Sequence, residues 1–92
     1  MLKDDSIMQL KEYGVVRLKL KELMDQRGIT RNNLARKINT RFEVIDKWYR
    51  GQIANMDLDI LARICFVLQC SISDVLEYSE NPLPEKDNTL SQ

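Results

Sequence analysis

Within residues 28–51, GITRNNLARKINTRFEVIDKWYRG, helix stops and starts fall so close together that few backbones can satisfy them all. Gly28 follows a helical run and is free to adopt the left-handed conformation, while Thr30 offers a hydroxyl to cap a new helix two residues later. The helix that follows, about residues 31–38, carries Leu34, Ala35 and Ile38 on one face, and Ile29 is placed to pack beneath the joint. Asn39-Thr40 then breaks the pattern, and Asn is the non-glycine residue that best tolerates a positive φ. A second helix over about 41–50 turns Val44, Ile45 and Trp48 inward and closes on Gly51. Ala35 is small enough to let the two helices cross closely at a steep angle. The segment therefore predicts two short helices joined by a tight polar turn, with Arg41, Phe42, Glu43, Asp46, Lys47 and Arg50 on the outer side of the second.

Read together, Thr30, Leu34-Ala35, Asn39, Ile45 and Arg50-Gly51 resemble the phage-repressor, or Xre/Cro-like, helix-turn-helix family. Its pattern has a Thr or Ser cap, Leu-Ala, a Gly at the turn, an inward Ile and a closing Asn-Gly. The stretch MDLDILARICFVLQCSISDVLEY is similar to the family's closing two helices, so the resemblance covers about residues 15–78. Asn39 stands where the family usually has Gly, and Phe42 where a polar base-contacting residue is common. The resemblance implies an all-α fold, a compact five-helix lambda-repressor-like DNA-binding domain with a central helix-turn-helix.

Charge supports a localised rather than a global role for electrostatics. The chain is neutral overall, which by itself argues against nucleic acid. Within residues 28–51, however, six basic residues (Arg31, Arg36, Lys37, Arg41, Lys47, Arg50) face two acidic ones (Glu43, Asp46), a local excess of +4. From Ser79 onward, Lys86 against Glu80, Glu85 and Asp87 leaves −2. The acidic load lies away from the motif, as a local DNA-facing patch requires.

Composition narrows the remaining classes. Ninety-two residues at 43% apolar content suffice for one small core. No apolar run approaches the roughly 18 residues of a membrane span, and MLKDDSIMQLKEYG is acidic and polar rather than signal-like, so the expected location is cytoplasmic. Cys65 and Cys70 lack the Cys-x-x-Cys spacing of a metal site and the chain has no histidine, so no metal or other cofactor is expected. Cys65 reads as a packing residue, with a disulfide or redox role as the alternative. The missing histidine removes the commonest general base, and the three glycines form no phosphate loop. Neither an enzyme nor a small-molecule substrate is expected.

Along the chain, residues 1–14 read as an N-terminal arm, with Ile7, Leu10 and Tyr13 recurring at threes, 15–78 as the helix-turn-helix domain, and 79–92 as a flexible polar tail. Val15 to Leu20 alternate like a strand, but Leu20, Leu23 and Met24 favour one helix from about residue 17 to Arg27. Asp57 is the expected cap of a helix striped by Leu58, Leu61, Ile64, Cys65 and Leu68, and Ser73 the expected cap of a final short helix with Val75 and Leu76 turned inward or toward a partner.

In this class of motif the N-terminal part of the second helix enters the major groove. Arg41 is the first choice for a base contact, since arginine binds guanine O6 and N7 together; Phe42 suits a thymine methyl, Glu43 a cytosine N4, and Lys47 a base or phosphate. The competing expectation is that Glu43 with Lys47, and Asp46 with Arg50, are i,i+4 surface pairs. Arg31 matches the family's phosphate-contacting position, beside free amides at a helix start. Thr30, Thr40, Arg50, Gln52 and Asn55 complete the phosphate set, with Arg36 and Lys37 as looser candidates that equally suit a solvated surface. Trp48 reads as a structural anchor, and Phe66 as a dimer contact together with Val75 and Tyr78. The resemblance thus implies a transcriptional regulator, a repressor, that binds double-stranded DNA as a homodimer on an inverted-repeat operator, without a membrane. The alternative is a protein-binding module, an antitoxin or anti-regulator, that keeps the fold; Phe42 and the neutral overall charge favour it.

Overall fold

A computed structural model describes residues 13–80. Seven elements follow in order: β1 (Val15–Leu18), α1 (Leu20–Arg27), α2 (Arg31–Lys37), α3 (Phe42–Tyr49), α4 (Leu58–Leu68), α5 (Ile72–Val75) and β2 (Leu76–Ser79). The five helices match the expected number, but β1 and β2 pair as a small antiparallel sheet, so all-α is corrected to a helical domain with a two-stranded sheet. The expectations for Ile7, Leu10 and the tail after residue 80 lie outside the described residues. No helix among the described residues is long and apolar enough to cross a membrane.

The main unit, residues 17–77, holds the helices. Its core is built from Leu20 and Met24 of α1, Leu34 of α2, Ile45 of α3, Ile64 of α4 and Val75 of α5, all fully buried, with Trp48 beside them. Each helix contributes its apolar stripe, and among the described residues no charged or polar one is buried. Helix α1 starts at Leu20 rather than near residue 17 because the preceding backbone is committed elsewhere. Lys19 N–H donates to Val75 O at 2.7 Å, and Arg17 meets Glu77 across the strands at 2.9 Å. The β-branched pair Val15-Val16 favours the extended form, so the alternation of 15–20 was the stronger signal over its first half. The end unit comprises, among the described residues, 13–16 with 78–80. There Gly14 N–H donates to Tyr78 Oη at 2.9 Å, and a Cβ on Gly14 would lie 1.7 Å from Ser79 O, an approach that only glycine permits.

Capping follows the sequence at most ends. Gly28 closes α1 at φ 66°, and Asp57 Oδ1 accepts from the Asp59 and Ile60 amides at 2.9 and 3.3 Å. Helix α4 ends on Gln69 at φ 52°, and its last carbonyl, Leu68 O, accepts from the Arg27 guanidinium. Helix α5 corrects the sequence reading: its cap is Ser71, not Ser73. Asp74, three residues on, accepts from the Ser71 amide at 2.9 Å, a reciprocal lock that no residue supplies for Ser73.

Two apolar assignments also change. Leu58 is 72% exposed because the first position of α4 falls on the flank of the stripe formed by Ile60, Leu61, Ile64 and Leu68. Val75 is fully buried in its own core, the inward one of its two expected placements, which removes it from the dimer contact expected with Phe66 and Tyr78. Cys65 and Cys70 are free thiols, half-buried against the core, with burial pushing the Cys70 thiol up.

Hydrogen bonds from the Ser71 backbone and side chain hold the Asp74 carboxyl below its ordinary range. A depressed folded-state value contributes stability above the unfolded value, about pH 4, that is lost as pH falls through the folded one. Denaturant midpoints measured from about pH 6 to about pH 3 are therefore expected to fall below pH ~4, and Asp74→Asn to flatten part of that fall while lowering the midpoint near neutrality.

Candidate nucleic-acid interface

The crossing of α2 and α3 rests on Ala35, 4% exposed, with Ile45 and Trp48 packed in the same cluster. Asn39 turns the chain between them at φ 58°, and the Thr40 amide donates to Ala35 O at 2.9 Å, closing α2. Arg63 reaches over from α4 to donate to Ile38 O at 2.9 Å, covering another free carbonyl of that end. Thr30 caps α2 as expected, its Oγ1 accepting from the Asn33 amide at 3.1 Å.

The outer side of α3 divides into two rows. Phe42, Asp46, Tyr49 and Arg50 form one, directed at the start of α2, where Arg31 lies across it. Arg31 Nη1 donates to Asp46 Oδ1 at 2.6 Å, and its guanidinium sits 4.8 Å from the Tyr49 ring centre and 5.7 Å from that of Phe42. Arg50 Nε donates to both Asp46 oxygens at 3.1 and 3.0 Å, the i,i+4 pair anticipated from the sequence. Partial burial pushes the Asp46 carboxyl up, but the hydrogen bonds from Arg50 and Arg31 and their charge outweigh it and hold it below the usual carboxylate range.

The second row is Glu43 and Lys47, both exposed, which line a shallow concavity with Arg41 and Val44. Glu43 and Lys47 form no ion pair, in contrast to Asp46 and Arg50. Arg41 occupies the N-cap of α3 with an extended backbone, one residue before the helix, so its exposed side chain projects from the turn rather than from the helix barrel. Phe42 is 40% exposed. Thr40 is half-buried in the turn, Gln52 and Asn55 are exposed in the loop after α3, and Arg36 and Lys37 lie exposed along α2. The Gln52 amide donates to Lys47 O at 2.8 Å, which fixes the start of that loop. Among the described residues no group of three metal-ligating side chains converges.

The profile of the Cro/C1-type HTH DNA-binding domain matches residues 19–81, more than half of the chain. The chain belongs to this family. No curated protein matches the sequence. Among solved structures the chain is similar to the crystal structure of transcriptional regulator VanUg, Form II, at 20% identity and a TM-score of 0.60, over 80% of this chain and 97% of that one. That likeness shows the fold.

One residue of this Cro/C1-type domain escaped the sequence reading. Tyr49 is half-buried, carries the Arg31 guanidinium on its ring, and donates its hydroxyl to Asp25 Oδ1 at 2.9 Å. Its signal lay in its spacing, three after Asp46 and seven after Phe42, which makes it a third member of the row facing α2. The Asn39 turn carries a direct test. Asn39→Ala places a Cβ residue without Asn's local hydrogen bonding at φ 58° and is expected to lower unfolding stability by about 1 kcal/mol, whereas Asn39→Gly is expected to hold or raise it. Equilibrium denaturation of the two variants checks the sign.

Proposed function

We propose that this Cro/C1-type protein is a sequence-specific transcriptional regulator, a repressor, that binds double-stranded DNA as a homodimer and reads the major groove with α3. The observation that carries this reading is the exposed leading edge of α3. Arg41 stands at its cap and Lys47 six residues on, in its last turn, both without ion pairs among the described residues, in a segment of local charge +4 on a neutral chain. A free cation at the start of a presented helix suits base-edge contact, and Arg41 fits guanine O6 and N7, while Lys47 extends the free positive face along the helix. Phe42 and Glu43 complete the base-facing set, as thymine-methyl and cytosine contacts.

Phosphates on either side would be held by Arg31 and Thr30 at the start of α2, by Thr40 in the turn, and by Arg50, Gln52 and Asn55 after α3. Such contacts fix register without carrying sequence information. A two-fold dimer then calls for an inverted-repeat operator with half-sites about one helical turn apart.

The rival reading, a module that turns the same surface toward a protein, draws on Phe42, an apolar side chain on the outer face of α3. Its ring is partly covered by Arg31, which reduces the apolar area it offers. Steep loss of duplex affinity with salt, together with sequence preference, favours DNA over a protein partner. Arg41→Ala is expected to cost about 1 to 3 kcal/mol on the preferred duplex and to relax choice at one base position. Arg31→Ala is expected to weaken binding to every duplex and to reduce the salt slope by about 1. Binding isotherms on a set of single-base operator variants check the division; uniform loss in both variants contradicts it.

A further inference from the structure

Asp46 lies at the centre of the α2–α3 face, yet carries the wrong charge for a DNA contact. Its side chain is 24% exposed, and among the described residues its side-chain partners are the two arginines assigned above to phosphate. Those arginines sit at opposite ends of the motif, Arg31 at the first position of α2 and Arg50 at the C-cap of α3. One carboxylate therefore joins the two ends.

The way each arginine is held matters more than the charge count. Arg50 donates through Nε, which leaves its Nη1–Nη2 edge free; Arg31 donates through Nη1, which leaves Nε and Nη2 free. A guanidinium is a rigid planar fork, so fixing one nitrogen sets the direction of the remaining two, and a two-nitrogen edge matches phosphate oxygens in pairs. Arg31 is held further by the Tyr49 and Phe42 rings. Unheld, each side chain must be ordered on binding, which weakens the contact.

We propose that Asp46 is a positioning residue that fixes the free edges of Arg31 and Arg50 for two DNA phosphates and thereby sets sequence discrimination. The inference rests on the DNA-binding reading above. A phosphate clamp of fixed geometry fixes how α3 enters the groove, so the base contacts of Arg41 and Lys47 are made only in one register. Loose arginines still attract any duplex, but no longer impose that register. Asp46 thus exchanges general attraction for placement.

The sign of the effect separates this from simple electrostatics. Removing a carboxylate from a DNA-facing surface raises affinity for every duplex if charge alone counts. Positioning predicts the opposite for the preferred duplex. The test compares wild type with Asp46→Asn on the duplex best retained from a random pool and on a scrambled duplex of equal composition, with unfolding midpoints measured alongside.

The expected result is a loss of at least about fivefold on the preferred duplex, with the scrambled duplex unchanged or bound more tightly. In the free protein, the Arg50 Nε–H proton resonance is expected to shift and exchange faster with water in Asp46→Asn. A parallel rise on both duplexes, or a parallel fall on both, overturns the proposal while leaving the DNA reading intact. An unchanged Arg50 Nε–H resonance overturns it as well. A wild-type protein that prefers no duplex overturns the DNA reading, and the proposal with it.

Discussion

The close packing of α2 against α3, with the small Ala35 buried in their shared core, is the constraint on which the rest depends. A methyl side chain at this point lets Ile45 and Trp48 pack against the same core as Leu34, and a larger one would force the helices apart. With the angle fixed, the reach between Arg31 and Asp46 is fixed too, at 2.6 Å, and the outer side of α3 separates into a row tied to α2 and a row left free. Asn39 makes the crossing possible by accepting a positive φ in the turn, and Arg63 of α4 and the Thr40 amide cover the carbonyls exposed there. The core, the turn and the presented surface are one arrangement.

Electrostatics then acts on a surface whose shape is already set. A neutral chain has no long-range pull on a polyanion, so attraction must come from a local excess of cations. Half-way along the motif, Asp46 spends part of that excess on Arg31 and Arg50. The cations outside this network, Arg41 at the cap of α3, Lys47 on it, and Arg36 and Lys37 on α2, are exposed and unpaired among the described residues. Division of labour between held and free cations is the physical basis for separating phosphate from base contacts in the proposed complex.

Much of this was legible in the sequence because it depends on local chemistry. Gly28, Thr30, Asn39 and Asp57 each act through their own backbone or a cap within three residues, and each does what its type predicts. Buried Trp48 and Ile45 followed from spacing alone. Several of the misses involve partners distant in the chain. The strand Val15–Leu18 needs Leu76–Ser79, about sixty residues on, and a four-residue strand beside a helix start gives too short an alternation to outweigh the helical pattern that follows. Leu58 sits at a helix start, where a small angular error moves a side chain from core to solvent. Ser71 and Ser73 are alike as caps until Asp74 is counted as the partner of one. Tyr49 needed the position of Arg31 in space, which no periodicity reports.

The central claim is that a fixed helix crossing presents the start of α3 to DNA in a sequence-dependent way. It is tested most directly by selecting bound duplexes from a random pool at two salt concentrations, with molecular size measured in the same buffer. The account predicts enrichment of an inverted repeat with half-sites about one helical turn apart, retained at physiological salt and bound by a dimer. Retention of every sequence at low salt and none at physiological salt, or no retention at either, would contradict it.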